Sequence, residues 1–406
     1  MRSRRWIITG PLLLAMGLVA AACSDRSPIS TTPSVSSPTE SPTATPTELP
    51  VASWRLLPKA PIAGRIGAGV VWTGEEMIVW GGISRGGTIE AVADGAAYDP
   101  LADAWRRIAP APSGVLGAVG AAAAWTGTTA VFWAGNSPDG PAAGGVYDPT
   151  TDTWRRLPEG PLGPREGYVA VWTGTELVVV GGTSGDGFAQ PVAAAVDPRD
   201  GSWRLLPALN ELGALRPTGA VWNGDRVFLA GSQYLCPEEG SSCAETTSVF
   251  LAYDPSTDQV DEIDLALAPV DERTLPSLAP IGWTGERVAL SASAGVSSER
   301  VVFFEPGTGR WQLGAVSACT AEDDGYEQAA WVGDRYVAPC GTDRIQVYDV
   351  DSDVWTTTVA GRSPLNSRIG SAIVWSGSDL IAWSGTVKRE GNPTPNSGGA
   401  ITLMHR

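Results

Sequence analysis

Apolar and polar positions along this chain fall into short blocks that recur. Gly67 to Trp72 is a small-residue, apolar segment cut off by Thr73-Gly74, and Met77 to Trp80 follows and stops at Gly81-Gly82. Two such runs around a Gly-containing turn predict a β-hairpin. A third run ends at Tyr98-Asp99-Pro100, where Asp and Pro suit a turn, and a fourth starts near Trp105. One unit therefore reads as four strands.

The unit repeats. A Trp-Xaa-Gly closes the first strand at Trp72, Trp125, Trp172, Trp222, Trp283, Trp331 and Trp375, in steps of 44 to 61 residues. Asp99, Asp148, Asp197, Glu305 and Asp349 each stand six residues before a Trp, and Asp254 keeps the offset to Val260 without the ring. A period near 50 residues, with four strands in each copy, predicts an all-β, seven-bladed β-propeller. The first strands are rich in small residues, as in GAGVV and GSAIV, so they are placed nearest the crowded axis. The Trp residues read as packing between blades. The last unit stops after a third strand, while Ser53 to Pro58 matches Ser202 to Pro207 residue for residue. The N-terminal strand is therefore expected to complete the last blade and close the ring.

The Gly-Gly after the second strand, the Tyr-Asp-Pro at a fixed distance before a Trp, and the Arg-Ile-Gly opening the first strand resemble kelch repeats. The likeness covers about residues 53 to 403 and loosens at Ala134-Gly135, Ala230-Gly231, Ser384-Gly385 and Ser291-Ala292. It implies a kelch-type propeller. In kelch domains that bind acidic peptides, the position before the first strand often supplies the Arg that grips the ligand. Arg65, Arg165, Arg216 and Arg368 stand there, joined by Glu166 in the third unit and by Tyr326 and Glu327 in the sixth. They are expected to ring one mouth of the central channel. Pairing of these Arg with carboxylates between blades is the competing reading.

The N-terminus changes the picture of where this ring works. Arg2, Arg4 and Arg5 precede an apolar run and Ala20-Ala21-Ala22-Cys23, the layout of an export signal. Its ending resembles a bacterial lipoprotein signal, which implies lipidation at Cys23 and anchoring to the membrane outside the cytoplasm. Ser3 to Ile8 also fits a twin-arginine motif and leaves the export route open. Residues 1–22 are read as the signal peptide, 23–52 as the lipidated Cys with a Ser/Thr/Pro-rich tether, and 53–406 as the propeller. Without residues 1–22 the chain carries 25 basic against 44 acidic residues, a surface that repels nucleic acid. A monomer is expected.

Candidate chemistry is sparse. Cys236 and Cys243 share one loop and Cys319 and Cys340 share the sixth unit, which suggests two local disulfides in an oxidising compartment. The single His, His405, argues against a two-His copper site of the galactose-oxidase type, His-dependent zinc chemistry and a Ser-His-Asp triad. Gly82 to Gly86 fits a nucleophile-elbow pattern but lacks a base, and Asp349 to Asp353 begins like a calcium loop without its Gly and closing Glu. No metal, cofactor or catalytic residue is assigned. The expected function is binding of a protein, peptide or glycan, possibly anionic, through one propeller face. The alternative is a mutarotase- or sialidase-like enzyme that uses Glu166, Glu327 or Tyr326.

Overall fold

The computed structural model describes residues 53–403, apart from 85–89, 116–119, 135–142, 185–186, 189–191, 236–243, 294–298, 318–328, 334, 341–343, 361–367 and 388–393. Seven antiparallel four-stranded sheets occupy that span. Each is one blade, with strands lettered a to d in their order across the sheet from the axis outwards. Blade 1 comprises Gly69–Trp72, Met77–Trp80, Gly95–Asp99 and Ala104–Arg107; blade 2 comprises Ala122–Trp125, Ala130–Ala134, Ala143–Asp148 and Thr153–Arg156. Blade 3 comprises Val169–Trp172, Leu177–Val180, Ala193–Val196 and Trp203–Leu205. The a strands of blades 4 to 7 are Ala214–Trp222, Ala279–Trp283, Ala330–Val332 and Ala372–Trp375. Consecutive a strands touch in series from blade 1 to blade 7 and back to blade 1. The sheets thus form a closed, seven-bladed ring with the a strands innermost.

Small side chains permit that convergence. A Cβ on Gly282 in blade 5 would lie 2.1 Å from Trp331 of blade 6. Strand b of blade 1 is apolar and buried at every position because both of its faces are covered. In Met77-Ile78-Val79-Trp80, Met77 and Val79 join the cluster shared with blade 7, while Ile78 and Trp80 join the one shared with blade 2. Alternation along a strand thus feeds two interfaces at once. The core is seven clusters, each lying between two neighbouring blades. The a-strand Trp residues pack against them, as do Trp54, Trp105, Trp154, Trp203, Trp311 and Trp355.

Closure follows the expected phase. Arg55–Leu56 pairs with Gly398–Thr402 as the d strand of blade 7, with Arg55 opposite Ala400 and Leu56 opposite Gly399. Trp54 packs at the junction of blades 6 and 7 and Leu57 at that of blades 7 and 1. Asn396 Nδ2 then donates to the carbonyls of Ala60 and Ile62 at 2.8 and 2.7 Å.

The Gly-Gly pairs lead the chain out of the ladder after strand b. Gly82 has φ +91°, and a Cβ there would lie 2.7 Å from the Ile66 carbonyl; Gly182, at φ +100°, would meet Glu166 O at 2.8 Å. In blade 7, Ser384 and Gly385 also have positive φ, and Ser384 Oγ accepts from the Arg65 amide. In blades 4 and 5, where the pair is lost, the b strands run on as Val227–Leu235 and Val288–Ser293. Blade 4 becomes the longest hairpin in the ring.

Candidate functional site

The ring has two unlike ends. Strand a starts at the end carrying the long b–c connections, and there the Arg positions singled out in the sequence lie. Arg65 and Arg165 are buried, each 1% exposed. Their guanidinium groups repeat one pattern. Arg65 donates from Nε to Ala63 O at 3.0 Å and from Nη1 to Gly81 O and Asp94 O at 3.1 and 3.0 Å. Arg165 donates from Nε to Gly163 O and from Nη1 to Gly181 O and Val192 O. Each Arg thereby ties the chain before strand a to both ends of its own b–c connection.

Burial of these cations has electrostatic consequences. It pushes the Arg65 pKa below its ordinary range, opposed by Asp94, whose Oδ1 lies 2.8 Å from Nη2. The Arg65 guanidinium also lies over the Trp383 ring at 5.9 Å. Burial takes the Arg165 value down to about 10. Carbonyl acceptors offset part of the cost of desolvating a charge.

Arg216 is different. It lies six residues before its blade's Trp, whereas Arg65, Arg165 and Arg368 lie seven before theirs. The place of the buried Arg is taken in blade 4 by Leu215, 1% exposed. Arg216 pairs with Ser232, as Glu166 pairs with Thr183 and Ile369 with Thr386. One step along a strand reverses the direction of a side chain, and Arg216 and Glu166 are accordingly exposed. The four Arg therefore do not form one uniform ring. Arg368 opens a short strand paired with Thr386–Val387. Cys23, Cys236, Cys243, Cys319, Tyr326, Glu327 and His405 lie outside the described residues, while Cys340 ends a strand and is buried.

At the opposite end the connections are short, and turn residues mark them in the sequence. Tyr98, Tyr147, Tyr253 and Tyr348 each donate to the Asp five residues on, at 2.6, 2.6, 3.1 and 2.6 Å. Those acceptors, Asp103, Asp152, Asp258 and Asp353, have φ between 48° and 54°. Blades 3 and 5 have Val196 and Phe304 in place of Tyr, and Gly201 and Gly309 in place of Asp. A non-Gly residue at positive φ is thus kept where its carboxylate has a phenol to accept from.

The same turns latch neighbouring blades. Asp152 accepts from the Ala109 amide of blade 1 and Asp353 from the Ala315 amide of blade 5. Trp154 Nε1 donates to Ala109 O at 2.8 Å, and Trp355 Nε1 to Ala315 O at 2.9 Å. The acid six residues before each of these Trp, Asp148 or Asp349, caps the start of the same turn by accepting from Thr150 N or Ser352 N, so the length of the turn fixes its distance from the ring. Asp349, the first acid of the calcium-like stretch, caps its own turn through Ser352. Among the described residues no group of three or more His, Cys, Asp or Glu could hold a metal ion.

An outer clasp completes this end. Arg106, in strand d of blade 1, holds Glu76 of its own a–b turn in two hydrogen bonds of 3.0 and 2.6 Å and reaches Tyr147 OH of blade 2 at 3.2 Å. Arg204 of blade 3 does the same with Glu176 and, at 3.4 Å, Tyr253 of blade 4. Arg55 of blade 7 holds Tyr98 OH and Asp103 of blade 1. Hydrogen bonding to Glu76, then to Tyr147, raises the Arg106 pKa against its partial burial. Burial, with the Asp152 hydrogen bond, lifts Tyr147 to about 12. Blade 4 keeps the own-blade pair with its charges exchanged, Arg226 to Asp261.

No family model matches the chain, and no curated protein matches it significantly.

Proposed function

We propose that the protein is a kelch-type binding module, anchored outside the cytoplasm by lipidated Cys23, that recognises an anionic peptide or glycan at the loop-bearing end of the ring. The observation that supports this most is the exposure of Arg216. Unlike the buried Arg65 and Arg165, it stands on the longest hairpin, and its side chain has no hydrogen bond or ion pair among the described residues. A cation presented on a rigid frame at the end where connections vary suits recognition. In this reading Arg65 and Arg165 hold the frame, Arg216, Glu166, Arg368, Tyr326 and Glu327 supply the recognition surface, and disulfides Cys236–Cys243 and Cys319–Cys340 brace its loops.

The test is a thermal-shift screen of the chain against acidic peptides and sialylated glycans. A ligand of the folded state raises the melting temperature. Arg216→Ala should reduce the shift, and an undiminished shift with that variant would remove the proposed surface. Cys23→Ala should leave the detergent phase, and its retention there would remove the anchor.

A further inference from the structure

Blade 2 keeps the Arg of the outer clasp and neither of its partners. Counting four residues on from the strand-a Trp gives Glu76 in blade 1 and Glu176 in blade 3, but Thr129 in blade 2. The residue that should present a phenol from the next blade is Val196 instead of a Tyr. Thr129 bonds to Thr126 within its own turn, at 2.9 Å between the hydroxyls. Arg155 is left exposed, donating from Nη2 to Pro198 O of blade 3, with no carboxylate within ion-pairing distance among the described residues.

Arg155 and the short Thr129 face a hollow. A pocket of about 440 Å³ opens at this junction, lined by Arg155, Asp148, Trp154, Trp172, Thr129 and Thr175 among others. That volume is within the range of small-ligand sites, roughly 300–1,000 Å³. Its chemistry is divided. Arg155 offers a planar fork that elsewhere in the ring is filled by a carboxylate. Asp148, already accepting from Thr150 N and Thr151 Oγ1, and the Thr hydroxyls offer partners for hydroxyl groups. The Trp side chains supply apolar wall.

We infer that this pocket binds a sugar acid, whose carboxylate takes on Arg155 the place that Glu76 and Glu176 take on Arg106 and Arg204, and whose hydroxyls meet Asp148 and the Thr residues. A bidentate Arg–carboxylate pair is a strong, directional contact. The site lies at the turn end of the ring and is independent of the loop-end surface.

D-Glucuronate and D-glucose are titrated into the full chain in detergent and binding is followed by calorimetry. Glucuronate should bind, and glucose should bind about tenfold more weakly or not at all. Arg155→Ala should weaken glucuronate by about tenfold or more. Thr129→Glu supplies the missing carboxylate from within, so it should abolish binding while leaving the melting temperature unchanged or higher. Arg216→Ala should leave glucuronate binding intact, which separates this site from the surface proposed above. Equal binding of glucose, undiminished glucuronate binding in either pocket variant, or no glucuronate binding at millimolar concentration would overturn the inference.

Discussion

Junctions 1–2 and 2–3 are built from the same strands in the same order, yet one is sealed and the other is open. At junction 1–2, Arg106 has a carboxylate behind it and a phenol ahead of it, and the phenol is held by Asp152. At junction 2–3, Arg155 faces Thr129 and Val196, and Gly201 takes the place of that Asp. The hydrophobic layer beneath is complete at both, with Trp133 and Trp203 filling junction 2–3 as Trp80, Phe132 and Trp154 fill junction 1–2. Packing therefore closes the ring, while the polar rim above it is free to vary. A site can be opened there without a hole in the core.

The largest expected effect removes a clasped junction outright. Deleting residues 24–58 takes away strand d of blade 7 with Trp54 and Arg55, and should cost at least about 3 kcal/mol in denaturant unfolding relative to deleting 24–48. Equal midpoints for the two truncations would contradict the closure. Next comes the Arg itself. Arg106→Ala should destabilise by about 1 kcal/mol, since the pair is partly exposed, whereas Arg155→Ala should stay within about 0.5 kcal/mol of wild type. Urea titrations of the two variants make the comparison directly.

Alkaline pH sharpens the contrast further. Tyr147 is held protonated up to about 12 in the fold, against an ordinary phenol value of about 10 in the unfolded chain. Because the folded value is the higher one, its contribution is intact below about pH 10 and is lost as pH rises towards about 12. Tyr98 and Tyr253 are raised in the same way. Tyr147→Phe should therefore flatten part of the fall in melting temperature with pH across that window, and Val196→Ala should not change the slope. The last effect is a gain. Thr129→Glu should stabilise by up to about 1 kcal/mol by completing a partly exposed clasp on Arg155.

Much of the ring was legible in the sequence because its turns are chemical. Trp-Xaa-Gly and the Asp at a fixed distance from Trp mark backbone geometry that few residues satisfy, so the blade number and the phase of closure could be counted. The Arg positions were harder. Arg65 and Arg165 are satisfied largely by main-chain carbonyls, and a carbonyl acceptor leaves no trace in side-chain identity, so a buried clamp and an exposed grip look alike. The Arg216 offset was visible as a count from Trp222, but nothing short of the ladder gave one residue its meaning. The junction 2–3 pocket lies beside Arg155, which Thr129 and Val196 leave without the partners that Arg106 has. It could have been found by setting those two residues beneath Glu76 and Tyr147.

Closure by the N-terminal strand also imposes an order in time. Blades 1 to 6 each consist of neighbouring segments and can form as the chain emerges, but Ala60 and Asn396, which share a hydrogen bond, stand 336 residues apart. The segment around Trp54 is made first and docked last. Until then it and strand c of blade 7 are two unpaired edges on one molecule, each a template for the other's partner on a second copy. Long-range pairing of this kind is slow to form. Refolding at high protein concentration should therefore yield ring-exchanged oligomers, and dilution should suppress them.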